Sequence, residues 1–338
     1  MEELHVDMQA VEEFGYAVVK GVIPRDVCAR ARAFMDAELG PPAERVHAHV
    51  AQTYGLNEVE DTGGERVTWP GPLGIARYDG EGLRPPEIAS GGYRHSLRHP
   101  IRHPVCAELV PPAMVRMHER LLRTENLRMN QQFMIRTDYS PPPYPQTPGW
   151  HMDHSFLPMQ YDATPRAVYY SSMVVLSKID AGGAAFTVSP PSLREGKAEA
   201  ARIFAEEPDW CAQLSDDGYR IDLSGRIAPT LSDNGNGSPG HEILADEGDV
   251  VIINPMCLHA ASPMRLPGRS RHVCFNTFFS QGGEFMLLPE RGATRPAAKF
   301  SPELRQGLEA NGLLSLLDWE PPTTPDSQSR RFFGDARL

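Results

Sequence analysis

Between residues 127 and 280 the sequence runs in short apolar, β-branched or aromatic stretches separated by turn residues, and this texture commits the chain to a β core. The stretches are 130–139, 167–176, 184–188, 250–254 and 272–280. Ahead of them, a short acidic helix leads into a strand at 16–23, and Arg25–Leu39 reads as an amphipathic helix stopped by Gly40 and Pro41. Residues 41–100 show no sustained period, and a helix is expected over 111–123. A further helix is expected over 195–206, followed by a polar insertion at 215–241 whose centre, LSDNGNGSPG, is rich in turn residues. A helix over 302–317 and a polar tail from Pro321 close the chain. The expectation is one domain over 1–338, mainly β with flanking helices (α+β). It divides into an N-terminal region of strand and helices over 1–126, a β core 127–285 carrying an insertion at 207–241, and a C-terminal extension 286–338.

Charge and cysteine usage narrow the function. A formal net charge of −11 argues against nucleic acid or an anionic membrane surface as partner. No apolar run is long enough to span a bilayer, and the acidic N-terminus lacks the order of a secretory signal. Five scattered cysteines without a CxxC pair read as reduced thiols, so the chain is expected in the cytoplasm.

The chemistry concentrates in Gly149-Trp-His-Met-Asp-His-Ser-Phe156. On an extended backbone alternate side chains share a face, so His151 and Asp153 point together while Met152 and His154 point away. One more imidazole would complete a two-histidine, one-carboxylate set, which holds iron(II) and leaves positions open for a cosubstrate and O2. The expected third ligand is His259, presented from a loop after an apolar strand broken by Pro255. Arg269 and Arg271 then precede the last strand, and a guanidinium there would clamp the distal carboxylate of a dicarboxylate cosubstrate.

These features resemble the phytanoyl-CoA dioxygenase family of iron(II)- and 2-oxoglutarate-dependent oxygenases over roughly residues 10–285. The likeness rests on Phe14-Gly-Tyr-Ala-Val-Val-Lys-Gly-Val-Ile23, Trp150-His-Met-Asp153, the glycine-led Gly182-Gly-Ala-Ala-Phe-Thr-Val-Ser-Pro-Pro-Ser192, and the order from Gly248-Asp249 through His259 to Arg271. The family's usual histidine is missing from the turn Pro190-Pro191-Ser192-Leu193. The resemblance implies a double-stranded β-helix, a cupin-like jelly roll. It also implies iron(II), with 2-oxoglutarate and O2 as cosubstrates. Arg271 is the implied 2-oxoglutarate anchor and Arg269 the alternative. Gln132 and Asn130, from the strand before the metal segment, and Ser262 are further candidates for that cosubstrate.

Trp150, His154, Phe156, Arg136 and Arg166 are candidates for contact with a small-molecule substrate, of specialised-metabolite, amino-acid or organic-acid type. Core packing is the alternative for Trp150 and Phe156, exposed charge for Arg136 and Arg166, and contact with the metal for His154. The retained Asp153 makes hydroxylation the expected outcome, with desaturation, cyclisation or epimerisation as alternatives on the same triad. A zinc hydrolase and a non-catalytic metal-binding jelly roll are the rival classes, although no HExxH is present. A monomer or homodimer is expected.

Overall fold

The computed structural model describes residues 6–39, 101–139, 150–209, 223–231, 240–281 and 300–319, and the backbone of four short strands between 76 and 97. Twelve strands are present among these residues: β1 Tyr16–Val19, β2 Ala76–Arg77, β3 Leu83–Arg84, β4 Glu87–Ala89, β5 Gly92–Leu97, β6 Leu127–Asp138, β7 Tyr169–Val175, β8 Phe186–Val188, β9 His241–Ile243, β10 Val250–Ile253, β11 His259–Ala261 and β12 Ser270–Ser280. They form a seven-stranded sheet ordered β1-β10-β7-β12-β6-β5-β4, a smaller sheet ordered β11-β8-β9, and a separate β2-β3 pair. This is the expected α+β jelly roll.

Strands β6, β7, β10 and β12 of the large sheet are largely buried on both faces, and β10 accordingly reads as a continuous apolar run. One face, with Met129, Met134, Val174, Cys274 and Phe278, packs on helices. The other, with Ile135, Met173, Val175, Val251 and Val273, packs on Phe186 and Val188 of the small sheet. Among the helices, α1 (Met8–Phe14) and α2 (Arg25–Leu39) lie at the N-terminal end. Helix α2 buries Val27, Cys28, Ala31, Met35 and Leu39, the stripe of an amphipathic helix. Gly15 ends α1 with φ +87°, a left-handed conformation that favours glycine, and any Cβ there would lie 2.6 Å from Cys257 Cβ. It thereby lets β1 lie beside β10, with Tyr16 opposite Ile253.

Several local expectations are revised. The β core recruits β1 and β5 from the N-terminal region, so the sheet does not start at residue 127. Arg94 and His95, within the stretch that shows no sustained period, lie on β5, which pairs with β6. The helix expected from residue 195 starts at Pro191, because Pro190 and Pro191 supply a preset helical φ at its first turn. The polar insertion contains a short helix, Ser224–Ile227. The C-terminal helix stops at Ala310, and Gly312, with φ +70°, separates it from a 3-10 turn at Leu314–Leu317. Gly40 and Pro41, most of 41–100, most of LSDNGNGSPG and the tail from Pro321 lie outside the described residues.

Candidate metal centre and its pocket

His151 and His259 face each other across an isolated antiparallel bridge. The amide of each donates to the carbonyl of the other at 2.9 Å. His151 therefore does not stand on a regular strand. One bridge fixes it, and the chain then bends through Asp153. The alternation nevertheless holds, because Met152 and His154 are buried in the core while His151 and Asp153 are exposed towards the cavity. His259 opens β11 rather than sitting on a loop. It pairs with Val188 of β8 and is buried.

The three side chains bring one ligand atom each to within 4.8 Å of one another. Asp153 Oδ1 lies 3.7 Å from His151 Nε2 and 3.6 Å from His259 Nε2. Both separations are too long for good hydrogen bonds, and the donor set is the one that suits iron(II). The tautomer of His259 follows from its other nitrogen. Nδ1 lies 2.9 Å from the Cys257 carbonyl, which can only accept, so Nδ1 carries the proton and Nε2 offers its lone pair to the cavity. The ring of Phe186 stacks on that imidazole at 4.7 Å and 26°, fixing its plane.

The triad opens on a cavity of about 430 Å3 that also takes in Arg271, Gln131, Phe133, Tyr169, Ser171 and Phe275. Arg271 is 3% exposed. Its Nη1 donates to the Ala184 carbonyl and its Nη2 to Thr137 Oγ1 at 3.1 Å, so it ties the large sheet to the chain entering β8. Arg269, the alternative, is exposed, paired with Asp180 at 2.8 Å, and absent from the cavity wall.

The remaining sequence candidates are not brought to the cavity. Gln132 points to the helix side, where its amide donates to Cys106 O and Asn276 Oδ1, both at 2.9 Å. Asn130 is the extra residue of a β-bulge, since Gln131 pairs with Thr277 and Met129 with Phe278. The cavity face of β6 is therefore Gln131 and Phe133, one residue out of phase with the expectation. Ser262 bonds Thr187 Oγ1 at 2.6 Å, away from Phe186 and the cavity. Trp150 packs beside Gly240 against the core, because the alternation that turns His151 to the cavity turns Trp150 to the side of Met152. His154 and Phe156 pack ring against ring at 4.5 Å, tilted by 51°, beside Tyr169.

Arg136 and Arg166 are buried rather than exposed charges, and neither lines the cavity. Arg136 is fully buried between Asp138 and Asp36, and Arg166 pairs with Glu12 while donating to Leu121 O and Tyr170 Oη. Among the cavity residues missed in the sequence are Gln131, Phe133, Tyr169, Ser171, Phe186 and Phe275. Phe275 was legible, since it continues the alternation of Arg271 and Val273 along β12.

A two-sheet jelly roll that gathers two imidazoles, a carboxylate and a buried arginine on one cavity defines the class of iron(II)- and 2-oxoglutarate-dependent oxygenases. The phytanoyl-CoA dioxygenase (PhyH) family model matches residues 11–273, most of the chain, and the chain belongs to that family. As a member of that family it is an enzyme that uses iron(II), 2-oxoglutarate and O2.

Solved structures resemble it at low identity. HygX from Streptomyces hygroscopicus, with nickel, 2-oxoglutarate and hygromycin B bound, aligns over 81% of this chain and 86% of its own, at 14% identity and a TM-score of 0.43. EvdO2 from Micromonospora carbonacea var. aurantiaca, complexed with 2-oxoglutarate, covers 83% of this chain and 94% of its own, at 17% identity and a TM-score of 0.45. SnoN, a non-heme α-ketoglutarate dependent epimerase from nogalamycin biosynthesis, covers 81% of each chain at 12% identity and a TM-score of 0.40. No curated protein matches the chain. Among the described residues no helix is long and apolar enough to cross a membrane.

Proposed function

We propose that this enzyme hydroxylates an unactivated C–H bond of a small molecule, with His151, Asp153 and His259 holding the iron and Arg271 anchoring 2-oxoglutarate. The observation that carries this reading is the convergence of these four side chains on one cavity, with the arginine buried and the carboxylate retained. Bound iron(II) with 2-oxoglutarate supplies O2 activation coupled to decarboxylation of the cosubstrate to succinate and CO2.

The chain's own residues orient and shield. The Cys257 carbonyl and Phe186 set the plane and tautomer of His259. Arg271 presents a fixed fork to the distal carboxylate, and Ala184 O and Thr137 Oγ1 keep that fork in place before the cosubstrate arrives. The apolar cluster of Ile135, Val175 and Val273 excludes water beneath the site.

Product analysis under 18O2 tests the reading. Hydroxylation adds one labelled oxygen to the substrate for each succinate released. Loss of two hydrogens would assign desaturation or cyclisation, and an unchanged mass with inverted configuration would assign epimerisation. Either result would displace hydroxylation.

A further inference from the structure

The cavity wall changes character in steps along β12. Its inward residues pair across three strands: Arg271 with Thr137, Val273 between Ile135 and Val175, Phe275 between Phe133 and Met173, and Thr277 between Gln131 and Ser171. The third rung is aromatic, with Phe133 and Phe275 stacked at 4.9 Å and 9°. The fourth is polar, since Gln131 Nε2 donates to Thr277 Oγ1 at 3.4 Å and Ser171 Oγ lies 3.0 Å from the same oxygen. Both Gln131 and Ser171 line the cavity.

Arg271 and Thr277 stand six residues apart on one strand, about 20 Å. A 2-oxoglutarate held by Arg271 is far too short to reach the polar rung as well. That rung, and the aromatic pair before it, are left for a different molecule. Beyond the metal triad, Arg271 is the only charged side chain among the described residues of the cavity wall. A charged group brought against Phe275 and Gln131 would lose water without gaining a counter-charge. Gln131 offers both a carbonyl and an amide, and Ser171 a hydroxyl, so an alcohol or amide satisfies this wall in either direction.

Resting on the function proposed above, we infer that the rungs Phe133–Phe275 and Gln131–Thr277–Ser171 form the primary-substrate subsite. Its ligand is an uncharged molecule with a flat apolar face and a hydroxyl or amide group. Gln131 is the specificity-determining residue, because Thr277 takes only one of its amide hydrogens and a substrate lacking that group leaves the other hydrogen and the side-chain carbonyl unpaired.

The test uses the full chain loaded with zinc(II) and saturating 2-oxoglutarate, which occupies Arg271. Ligand-observed NMR screens ring-bearing fragments of matched size: neutral alcohols and amides, carboxylates, and amines. The expected binders are the neutral alcohols and amides, with affinity falling roughly tenfold or more in Gln131→Leu. Gln131→Glu, close in shape, shifts the preference to amines. The affinity for 2-oxoglutarate, read from the visible band of the anaerobic iron(II) protein, stays within about twofold of the parent, the spread of a site with no shared partner. Preference for charged fragments, no fragment binding, or binding indifferent to Gln131→Leu overturns the inference. So does a parallel loss of 2-oxoglutarate affinity, which would assign Gln131 to the cosubstrate. Failure of the cosubstrate reading shows separately, as a parent protein without the visible band, because the fragment readout needs no iron.

Discussion

Replacing Arg271 with glutamine should cripple cosubstrate binding without unfolding the protein. The guanidinium is 3% exposed and already oriented by Ala184 O and Thr137 Oγ1, so little ordering cost remains when a carboxylate arrives. Truncating one partner of a buried, hydrogen-bonded charge pair costs about 2–5 kcal/mol. By that measure 2-oxoglutarate affinity falls roughly 30-fold to a few thousandfold. Arg269→Ala is the control. Its ion pair with Asp180 is solvent-exposed and worth about 0–1 kcal/mol to stability, and it should leave the cosubstrate untouched. The assay is an anaerobic titration of the iron(II) protein with 2-oxoglutarate, followed by visible absorption, with thermal unfolding in parallel. Pyruvate, which lacks the distal carboxylate, completes a thermodynamic cycle, because its weak binding should not distinguish Arg271→Gln from the parent. If folded Arg271→Gln binds 2-oxoglutarate as the parent does, or Arg269→Ala carries the loss instead, the anchor has been misassigned.

Three further outcomes follow from the packing. Gln132→Leu leaves Asn276 Oδ1 and Cys106 O without their buried donor, so it should cost about 1–3 kcal/mol in urea unfolding and leave 2-oxoglutarate affinity unchanged. Burial holds His118 down to about pKa 3, whereas the unfolded chain titrates near 6.5. The unfolded state then binds the extra proton, so this stability is complete above pH 6.5 and is lost as pH falls towards 3. At pH 5 the loss is about 2 kcal/mol, and comparing urea unfolding of His118→Gln and the parent at pH 7.5 and 5.0 should remove that share of the slope. Gly15→Ala meets both a left-handed backbone and the Cys257 side chain, whereas Gly21→Ala, at φ +62°, has open space. The first should destabilise by roughly 2–4 kcal/mol and the second by about 1 kcal/mol in the same unfolding assay.

Strand textures and the alternation at His151, Met152 and Asp153 were legible because both are local properties of the backbone. Helix α2 was legible for the same reason, its buried residues recurring at helical spacing. What local pattern could not supply was phase and partnership. The bulge at Asn130 shifts the inward face of β6 by one residue, and it exists only in the pairing with β12, more than 140 residues away. Arg136 and Arg166 resembled substrate contacts until Asp36 and Glu12, each from a distant helix, arrived to neutralise them. That Arg269 pairs with Asp180 while Arg271 reaches the cavity likewise needed the third dimension, because Asp180 and Ala184 lie on another stretch of chain.

His151, Asp153 and His259 should together hold one iron. Equilibrium binding of iron(II) under anaerobic conditions tests it most directly, on the parent chain and on His151→Ala, Asp153→Ala and His259→Ala. One iron per parent chain is expected, with affinity weakened at least about tenfold in each folded variant, the scale seen even when only an outer partner of a metal ligand is lost. A parent chain that binds no iron, or a folded triad variant that binds it as tightly as the parent, would contradict it.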